Sequence, residues 1–376
     1  MISASSIVIA FSHSLQKESW STEPNRTLGE GVRQWKSSLR TVSWVDCEQT
    51  DAESLTRVHA DVMNAWKKTD NSRLFCVGNT PAQMEFFIKL KDIFSESQPV
   101  VLVALRGVTV AENDRLEIAG ADFVVSHLCE VTQLVATAPF TQSLSVLLLA
   151  YNEAALIEKA VDDVHRFCKW YAPDYEILVI DDGSEDETAR IAGQLASADN
   201  VRVISHAENM GMGASMRDGY EAASCRYVVS LPGDRQVKAH SLAAFLPHVS
   251  SQTVVVSQYP VPHSGRARGV MSEVFRLLLR RVGNLQVDVA GAYLFSTELY
   301  RRAPVPQQVA SNTFLYSFQL LDSFRRSGAS FYTVDIWPFP RAVGQSREAR
   351  VGRILKMAGE IVKHRIKNKA FRMFHA

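Results

Sequence analysis

The sequence lacks several features that would assign it to whole classes of protein. Its five cysteines are scattered and form no CxxC pair, which argues against a zinc site or a disulfide framework and favours the reducing cytoplasm. No run of about 18 apolar residues is present, so no segment is expected to span a membrane. The net charge is only +1 over 376 residues, whereas a general nucleic-acid binder carries a basic excess. Repeats and low-complexity tracts are absent too, which leaves an ordinary globular protein.

The small net charge conceals two regions of opposite charge. From Arg341 to Ala376 there are ten Lys and Arg residues against two acidic ones, a balance of +8. The rest of the chain keeps 31 of the 41 basic residues and 38 of the 40 acidic ones, a balance of −7. This split predicts an anionic partner for the C-terminal segment.

Residues 1–137 alternate apolar runs with helical patterns. Such β-α units predict a doubly wound parallel sheet with helices on both faces. The opening apolar run has no basic segment before it, so it is expected to be a first strand rather than a signal peptide. The strand-like runs are at 6–11, 41–46, 74–78, 100–105 and 121–125.

The segment 99–128, with AGAD between a helical pattern and a short strand, resembles the second half of a response-regulator receiver domain. Receiver chemistry is not expected, because the stretches that would carry the acidic pair, the phosphorylated Asp, the hydroxyl and the Lys read AFSHS, CVGNT, VALRG and VVSHL. Residues 1–137 are therefore either a degenerate receiver or a generic flavodoxin-like domain. Either would serve sensing, contact with a protein partner, or homo-oligomerisation.

A polar stretch with a proline at 137–143 predicts a domain boundary, after which a second α/β series begins. Each strand of this series ends in a polar cluster, which is where open α/β sheets bind ligands. The four segments read LSVLLLAYNEAALIEKAV, YEILVIDDGSEDET, VRVISHAENMGMGASMRDGYEAA and YVVSLPGDRQV. Together they resemble glycosyltransferase family 2, and most nearly its polyprenyl-phosphate sugar synthases of the dolichol-phosphate mannose synthase type. The resemblance implies a GT-A fold over residues 143–350.

The first two polar clusters are predicted to bind the nucleoside of a UDP- or GDP-linked sugar. Tyr151, Asn152 and Glu153 can border a nucleobase. Asp181 and Asp182 can accept hydrogen bonds from base N–H groups and ribose hydroxyls, which suits uracil or guanine.

The third cluster is a glycine turn. Gly211 and Gly213 permit a close backbone turn beside the donor. The family often has a basic residue between them, but Met212 stands here, so Arg217 is either its replacement or a solvated helix residue. Ser184, in the second cluster, is expected to cap the next helix.

The fourth cluster is an acidic turn that departs from the family pattern Asp-x-Asp-x-Gln. Pro232 occupies the first position, while Asp234 and Gln236 remain. One carboxylate and one amide oxygen, with diphosphate oxygens and water, can still complete the shell of Mg²⁺ or Mn²⁺. Arg235 would add neutralising charge. The alternative is a tight turn without a metal.

The resemblance leaves the catalytic base uncertain. The glutamate expected in the helix at 313–328 aligns with Gln319, which cannot accept a proton. Asp288 is then the best carboxylate for the reaction, with Asp322 as an outsider and Asp234 acting through the cation. A phosphate acceptor is already ionised at neutral pH, so it needs little base catalysis.

The final segments carry the basic charge. Residues 335–350 match the family's arginine loop, in which Arg341, Ser346 and Arg347 would bind donor or acceptor phosphates. Residues 351–376 form a basic amphipathic pattern that favours an anionic membrane surface. The segment 265–284 has a similar pattern and is either a second membrane contact or a helix packed on the domain.

Taken together, the sequence predicts an inverting glycosyltransferase that acts on a polyprenyl phosphate, as a cytoplasmic protein peripheral to the membrane. One alternative is a soluble family 2 transferase acting on a glycan or a protein. Another is a catalytically silent nucleotide-sugar-binding regulator, which Pro232 and Gln319 motivate.

Overall fold

The computed structural model describes residues 8–11, 74–78, 84–85, 87–88, 100–105, 110–126, 128–197, 200–259, 285, 287, 289, 291–304 and 313–339. The chain divides into two compact units, residues 1–138 and 139–376. Several predicted features lie outside the described residues, namely the strand at 41–46, the segment 265–284, Asp288, the arginine loop with Arg341, Ser346 and Arg347, and the basic segment 351–376.

The described part of the first unit is a parallel sheet with two helices beside it. Its strands are hydrogen-bonded in the order β1-β2-β3-β4, and the described side chains of β2 to β4 are buried. The elements are β1 (Val8–Phe11), β2 (Leu74–Gly78), β3 (Val100–Leu105), α1 (Val110–Ile118), β4 (Phe123–Val125) and α2 (Leu128–Ala136). This sheet agrees with the α/β alternation, while the receiver-like assignment stays a prediction.

The second unit contains a mixed sheet of seven strands in the order β11-β9-β10-β8-β5-β6-β7. Strand β10 runs antiparallel to both β8 and β9, and the other neighbouring pairs are parallel. The strands are β5 (Leu144–Ala150), β6 (Tyr175–Asp181), β7 (Val201–Ser205), β8 (Tyr227–Pro232), β9 (Thr253–Gln258), β10 (Tyr293–Ser296) and β11 (Ser330–Asp335). Strands β5, β6 and β8 are apolar on both faces because helices or loops cover both sides of the sheet.

The helices of this unit cover the sheet with their apolar stripes. Helix α3 buries residues spaced three or four apart, from Ile157 to Tyr171, as a 3.6-residue period requires. The helices are α3 (Ile157–Tyr171), α4 (Thr188–Leu195), α5 (Met212–Ala222), α6 (Thr297–Arg302) and α7 (Thr313–Arg326), with 3₁₀ turns at Ala239–Ala244 and Leu246–His248. Within the described residues, no helix is both long enough and apolar enough to cross a bilayer.

Helices α5 and α7 share one apolar core with β8, β9 and β10. Met216 and Tyr220 of α5 meet Phe318 and Phe324 of α7 in this cluster. Burial of each such side chain contributes about 1.5–3 kcal/mol. The core therefore fixes α5, whose first turn belongs to the candidate site.

A buried glutamate ties the opposite edge of this sheet together. Glu176, at the start of β6, accepts hydrogen bonds from the Ser145 hydroxyl at 2.6 Å and from Arg202 at 2.9 Å. It also accepts from the backbone N–H of Ser224 at 2.6 Å and from its hydroxyl at 2.8 Å. These bonds join the starts of three strands to the turn after α5.

We expect Glu176→Gln to lower the free energy of unfolding by about 1–3 kcal/mol at neutral pH, because it disrupts charge-assisted bonds. Burial alone raises the pKa of Glu176, but the bonds from Ser145, Ser224 and Arg202 outweigh it and hold the pKa below its usual value. Folding therefore favours the carboxylate, whose stabilisation is present above the unfolded pKa and is lost as the pH falls through the folded pKa. The cost of the substitution should shrink in acid, as measured by urea denaturation at several pH values.

Glu187→Gln is the matched control, because Glu187 is exposed and, within the described part of the chain, forms an ion pair only with the neighbouring Arg190 in α4. Its effect should stay within about 0.5 kcal/mol. A cost for Glu176→Gln that does not change with pH would contradict the assigned role.

Candidate active site

The turns after three neighbouring strands meet at the carboxyl edge of the second unit's sheet. The Asp182 N–H donates to the Ala150 carbonyl at 2.9 Å, and the Gly233 N–H donates to the Leu149 carbonyl at 2.8 Å. The turns after β6 and β8 are thus both bonded to the last two residues of β5. The structure therefore brings together the predicted segments 151–153, 181–182 and 234–236.

The loop after β5 is interlocked with the loop after β6. The Asn152 N–H donates to the Ser184 hydroxyl at 2.9 Å, and the Asn152 side-chain oxygen accepts from the Glu185 N–H at 2.8 Å. The Glu153 N–H donates to the Thr188 hydroxyl at 2.8 Å. Asn152 has a φ of +57°, a conformation that asparagine tolerates better than most residues. These bonds hold Tyr151, Asn152 and Glu153, all half-buried, beside the aspartates of β6.

The expectation that Ser184 caps α4 is wrong. Glu187 occupies the cap position and makes no side-chain cap bond, and the Ser184 hydroxyl bonds to Asn152 instead. Asp186 takes over this role, since its carboxylate accepts from the backbone N–H of Thr188 at 2.9 Å and of Ala154 at 3.2 Å. Burial raises the pKa of Asp186, but the bonds from Thr188 and Ala154 outweigh it and lower the pKa below its ordinary value.

Asp182 organises the turn that follows β7. One oxygen accepts from His206 Nδ1 at 2.8 Å and from the Met210 N–H at 3.0 Å, and the other accepts from the Gly211 N–H at 3.0 Å. Gly211 has a φ of +89° and opens α5, whose first turn buries Gly213. Most of the four or so acceptor positions of this carboxylate are thus used by the protein itself.

Asp181 contrasts with its neighbour. Its side chain is buried, with 1% of the residue exposed, yet its carboxylate accepts only one long bond, 3.3 Å from the Ser184 N–H. Among the described residues it has no other hydrogen-bond partner. A buried carboxylate with spare acceptor capacity is suited to donors brought by a ligand.

A residue with a side chain cannot replace Gly183, which lies between the turns after β6 and β7. Its φ is +66°, and a Cβ there would lie 2.4 Å from the carbonyl carbon of Glu208 and 2.7 Å from the nitrogen of Asn209. Gly183 was not predicted as a site residue from the sequence. The close approach of two backbones shows that this glycine sets the spacing between the β6 and β7 turns.

The acidic turn after β8 is a compact structure. Asp234 accepts from the Gln236 N–H at 3.0 Å, and the Gln236 carbonyl accepts from the Phe339 N–H at 2.8 Å. Arg235 has a φ of +57°, and its guanidinium binds both oxygens of Asp163 in α3 at 2.8 and 3.0 Å. The expectation that Arg235 supplies charge to the donor site is therefore wrong, because Asp163 already neutralises it.

Comparison with known proteins agrees with this arrangement. Residues 145–305 match the sequence model of Glycosyl transferase family 2. This stretch, residues 145–305, is the family 2 glycosyltransferase-like domain of the chain. The match lies within the second unit and gives no support to the receiver-like prediction for residues 1–137.

Curated relatives of the family 2 domain include three transferases. Glycosyltransferase AglD of Haloferax volcanii is 28% identical over 58% of this chain and 36% of its own. Dolichyl-phosphate beta-glucosyltransferase of Mus musculus is 32% identical over 26% of this chain and 33% of its own. Polyprenol monophosphomannose synthase of Mycolicibacterium smegmatis is 38% identical over 23% of this chain and 32% of its own. The chain thus spans about a third of the length of these relatives.

The solved structures to which this chain is similar include two synthases. Mannosyl-3-phosphoglycerate synthase from Rubrobacter xylanophilus covers 61% of this chain and 75% of its own, with 19% identity and a TM-score of 0.45. Glucosyl-3-phosphoglycerate synthase from Mycobacterium tuberculosis, in complex with Mn²⁺, UDP-glucose and phosphoglyceric acid, covers 60% and 80%, with 23% identity and a TM-score of 0.43.

The acidic turn of the family 2 domain has a donor set that fits a hard cation. The Gln236 backbone N–H donates to the Asp234 carboxylate, and the carboxylate and the amide side chain two residues later therefore belong to a single turn. Oxygen donors of this kind suit Mg²⁺ or Mn²⁺, with substrate phosphate oxygens and water completing the shell. The described residues contain no group of three or more His, Cys, Asp or Glu that could hold a metal without a substrate.

The described candidates for a catalytic base are weak. Asp322 is buried and bonded to Arg325 at 2.7 Å and to Arg326 at 3.3 Å, so the outsider among the predicted carboxylates is a structural ion pair. Gln319, half-buried on α7, has no acidic group. Asp288, the preferred candidate, lies outside the described residues.

The first turn of α5 departs from the family pattern as the sequence indicated. Met212 is 38% exposed and Met210 is 43% exposed, so apolar side chains flank the cap residue Gly211. Arg217 pairs with Asp218 at 2.7 Å, so it is not simply a solvated helix residue. Its role as a replacement for the basic residue of the family stays a prediction.

Proposed function

We propose that this chain transfers a sugar, with inversion, from a UDP- or GDP-linked donor to a polyprenyl phosphate at an anionic membrane surface. The observation that carries the proposal is the bonding of the β6 and β8 turns to the end of β5 within a family 2 domain. This bonding joins a nucleoside-binding loop to an acidic turn at one sheet edge, where open α/β sheets bind ligands.

The nucleoside would be held by the loops after β5 and β6. Asp181 is buried with spare acceptor capacity, so we assign it the strongest bond to a base N–H or ribose hydroxyl. Asp182 keeps the glycine turn in place and has room for one further donor. Tyr151, Asn152 and Glu153 would border the base.

The donor diphosphate would lie between the glycine turn and the acidic turn. Gly211 and Gly213 allow the backbone to approach it closely. Asp234 and Gln236 would hold Mg²⁺ or Mn²⁺ there, and this cation would neutralise charge on the leaving diphosphate when it is bound.

The arginine loop is proposed to complete the phosphate site. The Phe339 N–H is bonded to Gln236, so the chain after β11 returns to the acidic turn. Arg341 is the second residue after Phe339 in the sequence. We assign Arg341, Ser346 and Arg347 to the phosphates of donor and acceptor.

In the proposed reaction, an acceptor phosphate oxygen forms a bond to the anomeric carbon. The bond from that carbon to the donor diphosphate breaks, and the nucleoside diphosphate leaves with the electron pair. Because a phosphate monoester is already ionised, no strong base is required, and Asp288 would at most orient the acceptor. The rate enhancement would come mainly from alignment and from neutralising the leaving group.

Two observations support a lipid-phosphate acceptor. Two of the relatives, the dolichyl-phosphate glucosyltransferase and the polyprenol monophosphomannose synthase, carry such an acceptor in their names. The segment 341–376 of this chain has a charge of +8, which suits anionic lipids. A glycan or protein acceptor is the alternative that the next experiment would detect.

Full-length protein supplied with UDP- and GDP-sugars, Mn²⁺ and vesicles containing polyprenyl phosphate should transfer labelled sugar to the lipid. Deletion of residues 351–376 should abolish both pelleting with anionic vesicles and lipid glycosylation, because the basic charge is lost. Retained transfer to a soluble glycan or protein by the truncated chain would show that the acceptor is not a lipid. Nucleotide binding in calorimetry without sugar transfer to any acceptor would instead favour the silent nucleotide-sugar-binding regulator.

A further inference from the structure

His206, the residue after β7, lies between two carboxylates. Its side chain is only 6% exposed, with Nδ1 2.8 Å from Asp182 Oδ1 and Nε2 3.1 Å from Asp218 Oδ2. Asp182 belongs to the candidate nucleotide site, and Asp218 is on α5. The imidazole therefore connects the β6 turn to the body of the helix that the glycine turn opens.

The two contacts of the ring bear on how many protons it carries. An ionised carboxylate only accepts hydrogen bonds, and a neutral imidazole has a single N–H to donate. Two short contacts to carboxylate oxygens are both satisfied only when both nitrogens of His206 are protonated. Arg217, 2.7 Å from the other oxygen of Asp218, then balances the second negative charge.

The consequences of this bridge pass through Asp182. The oxygen that binds His206 also accepts from the Met210 N–H, and the second oxygen accepts from the Gly211 N–H. Rotation of this carboxylate would release both backbone groups. By fixing the Asp182 carboxylate, His206 therefore fixes the glycine turn as well.

We propose that His206 is a doubly protonated positioning residue, which bridges Asp182 and Asp218 and fixes the glycine turn in the geometry that receives the donor diphosphate. The inference rests on the proposed function for the identity of the ligand. The bridge itself is a property of the free protein and does not depend on the proposed function.

The bridge is tested first by ¹⁵N NMR of the histidine rings in the full-length protein at neutral pH. Both ring nitrogens of His206 should show shifts of protonated imidazolium. In Asp218→Asn an amide N–H replaces one acceptor, so Nε2 should lose its proton while Nδ1 keeps its bond to Asp182. An unprotonated nitrogen in the wild-type ring would overturn the proposal, as would identical shifts in the variant.

The positioning role is tested by calorimetric titration with UDP and GDP in the presence of Mn²⁺. Glutamine has one amide nitrogen and cannot donate to carboxylates on opposite sides, so His206→Gln should weaken nucleotide binding about tenfold. His165→Gln is the matched control, because among the residues that the structure describes the His165 ring bonds only the Tyr175 hydroxyl, at 2.7 Å, at the other end of β6. It should leave the dissociation constant unchanged.

The outcomes separate the two proposals. Equal effects of the two glutamine variants, or no effect of either, would overturn the positioning role. If the wild-type protein binds neither nucleotide, the proposed function fails and the donor-positioning role fails with it. The ring shifts would then still decide whether His206 forms the bridge.

Discussion

Replacing Asp234 with alanine is expected to reduce sugar transfer by about 100- to 1,000-fold, the usual effect of removing one group that stabilises the transition state. The residue is half-buried, and its carboxylate bonds the Gln236 N–H within the same turn. Loss of that bond should lower the free energy of unfolding by only about 1 kcal/mol. The effect should therefore be on turnover, measured with saturating nucleotide-sugar, and on Mn²⁺-dependent binding of nucleoside diphosphate.

Asp174→Ala provides the control for this measurement. Asp174 is an exposed aspartate before β6, at the opposite edge of the same sheet, and it should leave both turnover and binding unchanged. Equal turnover of Asp234→Ala and wild type would show that the acidic turn holds no catalytic cation. Pro232 would then mark a turn that has lost its metal chemistry.

Local sequence patterns were enough to predict strands β2, β3, β5, β6, β7 and β8 and the sheet edge at which their polar clusters lie. Strands β2 and β3 have the predicted bounds, because short apolar runs at these places are flanked by polar residues and proline. The polar clusters after β5, β6 and β8 meet because parallel strands end at one edge. Where a residue's position in the fold depended on its place along its own strand, the sequence was sufficient.

The position of the antiparallel strand β10 could not be predicted from local sequence patterns. It lies between β8 and β9, and its segment was predicted only as part of the family resemblance. A four-residue apolar run can pair with either neighbour in either direction. Its position depends on burial of Tyr293 and Phe295 in the core shared with α5 and α7, which is a contact between segments distant in the sequence.

The partners of polar side chains were the least predictable feature. Ser184 was expected to bond its own helix, but it bonds Asn152, 32 residues earlier. His206 was not predicted as a site residue, although its place directly after β7 was a usable signal. In each case the partner is chosen by how two loops pack, which no local pattern encodes.

Arg235→Ala is expected to lower the free energy of unfolding by about 3–5 kcal/mol, the largest stability effect we predict. Arg235 and Asp163 are 8% and 13% exposed and form a two-bond pair across 72 residues of sequence. Removing the guanidinium leaves a largely buried carboxylate without its main counter-charge. Urea denaturation of the full-length chain would measure the loss.

A double-mutant cycle separates the ion pair from the turn that contains it. Asp163→Ala in the Arg235→Ala background should cost less than in the wild type, because the carboxylate no longer has the guanidinium as a partner. Arg190→Ala is the control, since the Arg190–Glu187 pair is 58% and 67% exposed and should contribute no more than about 1 kcal/mol.

The same cycle decides what Arg235 does beside the acidic turn. If its role is structural, the double variant should recover stability relative to the sum of the single changes and should keep its affinity for nucleoside diphosphate. If Arg235→Ala were as mild as Arg190→Ala but abolished nucleotide binding, the guanidinium would be a ligand of the donor and the ion-pair assignment would be wrong. Asp234 and Arg235 would then share one task, whereas the bonds to Asp163 assign Arg235 to the fold and leave Asp234 as the proposed metal ligand.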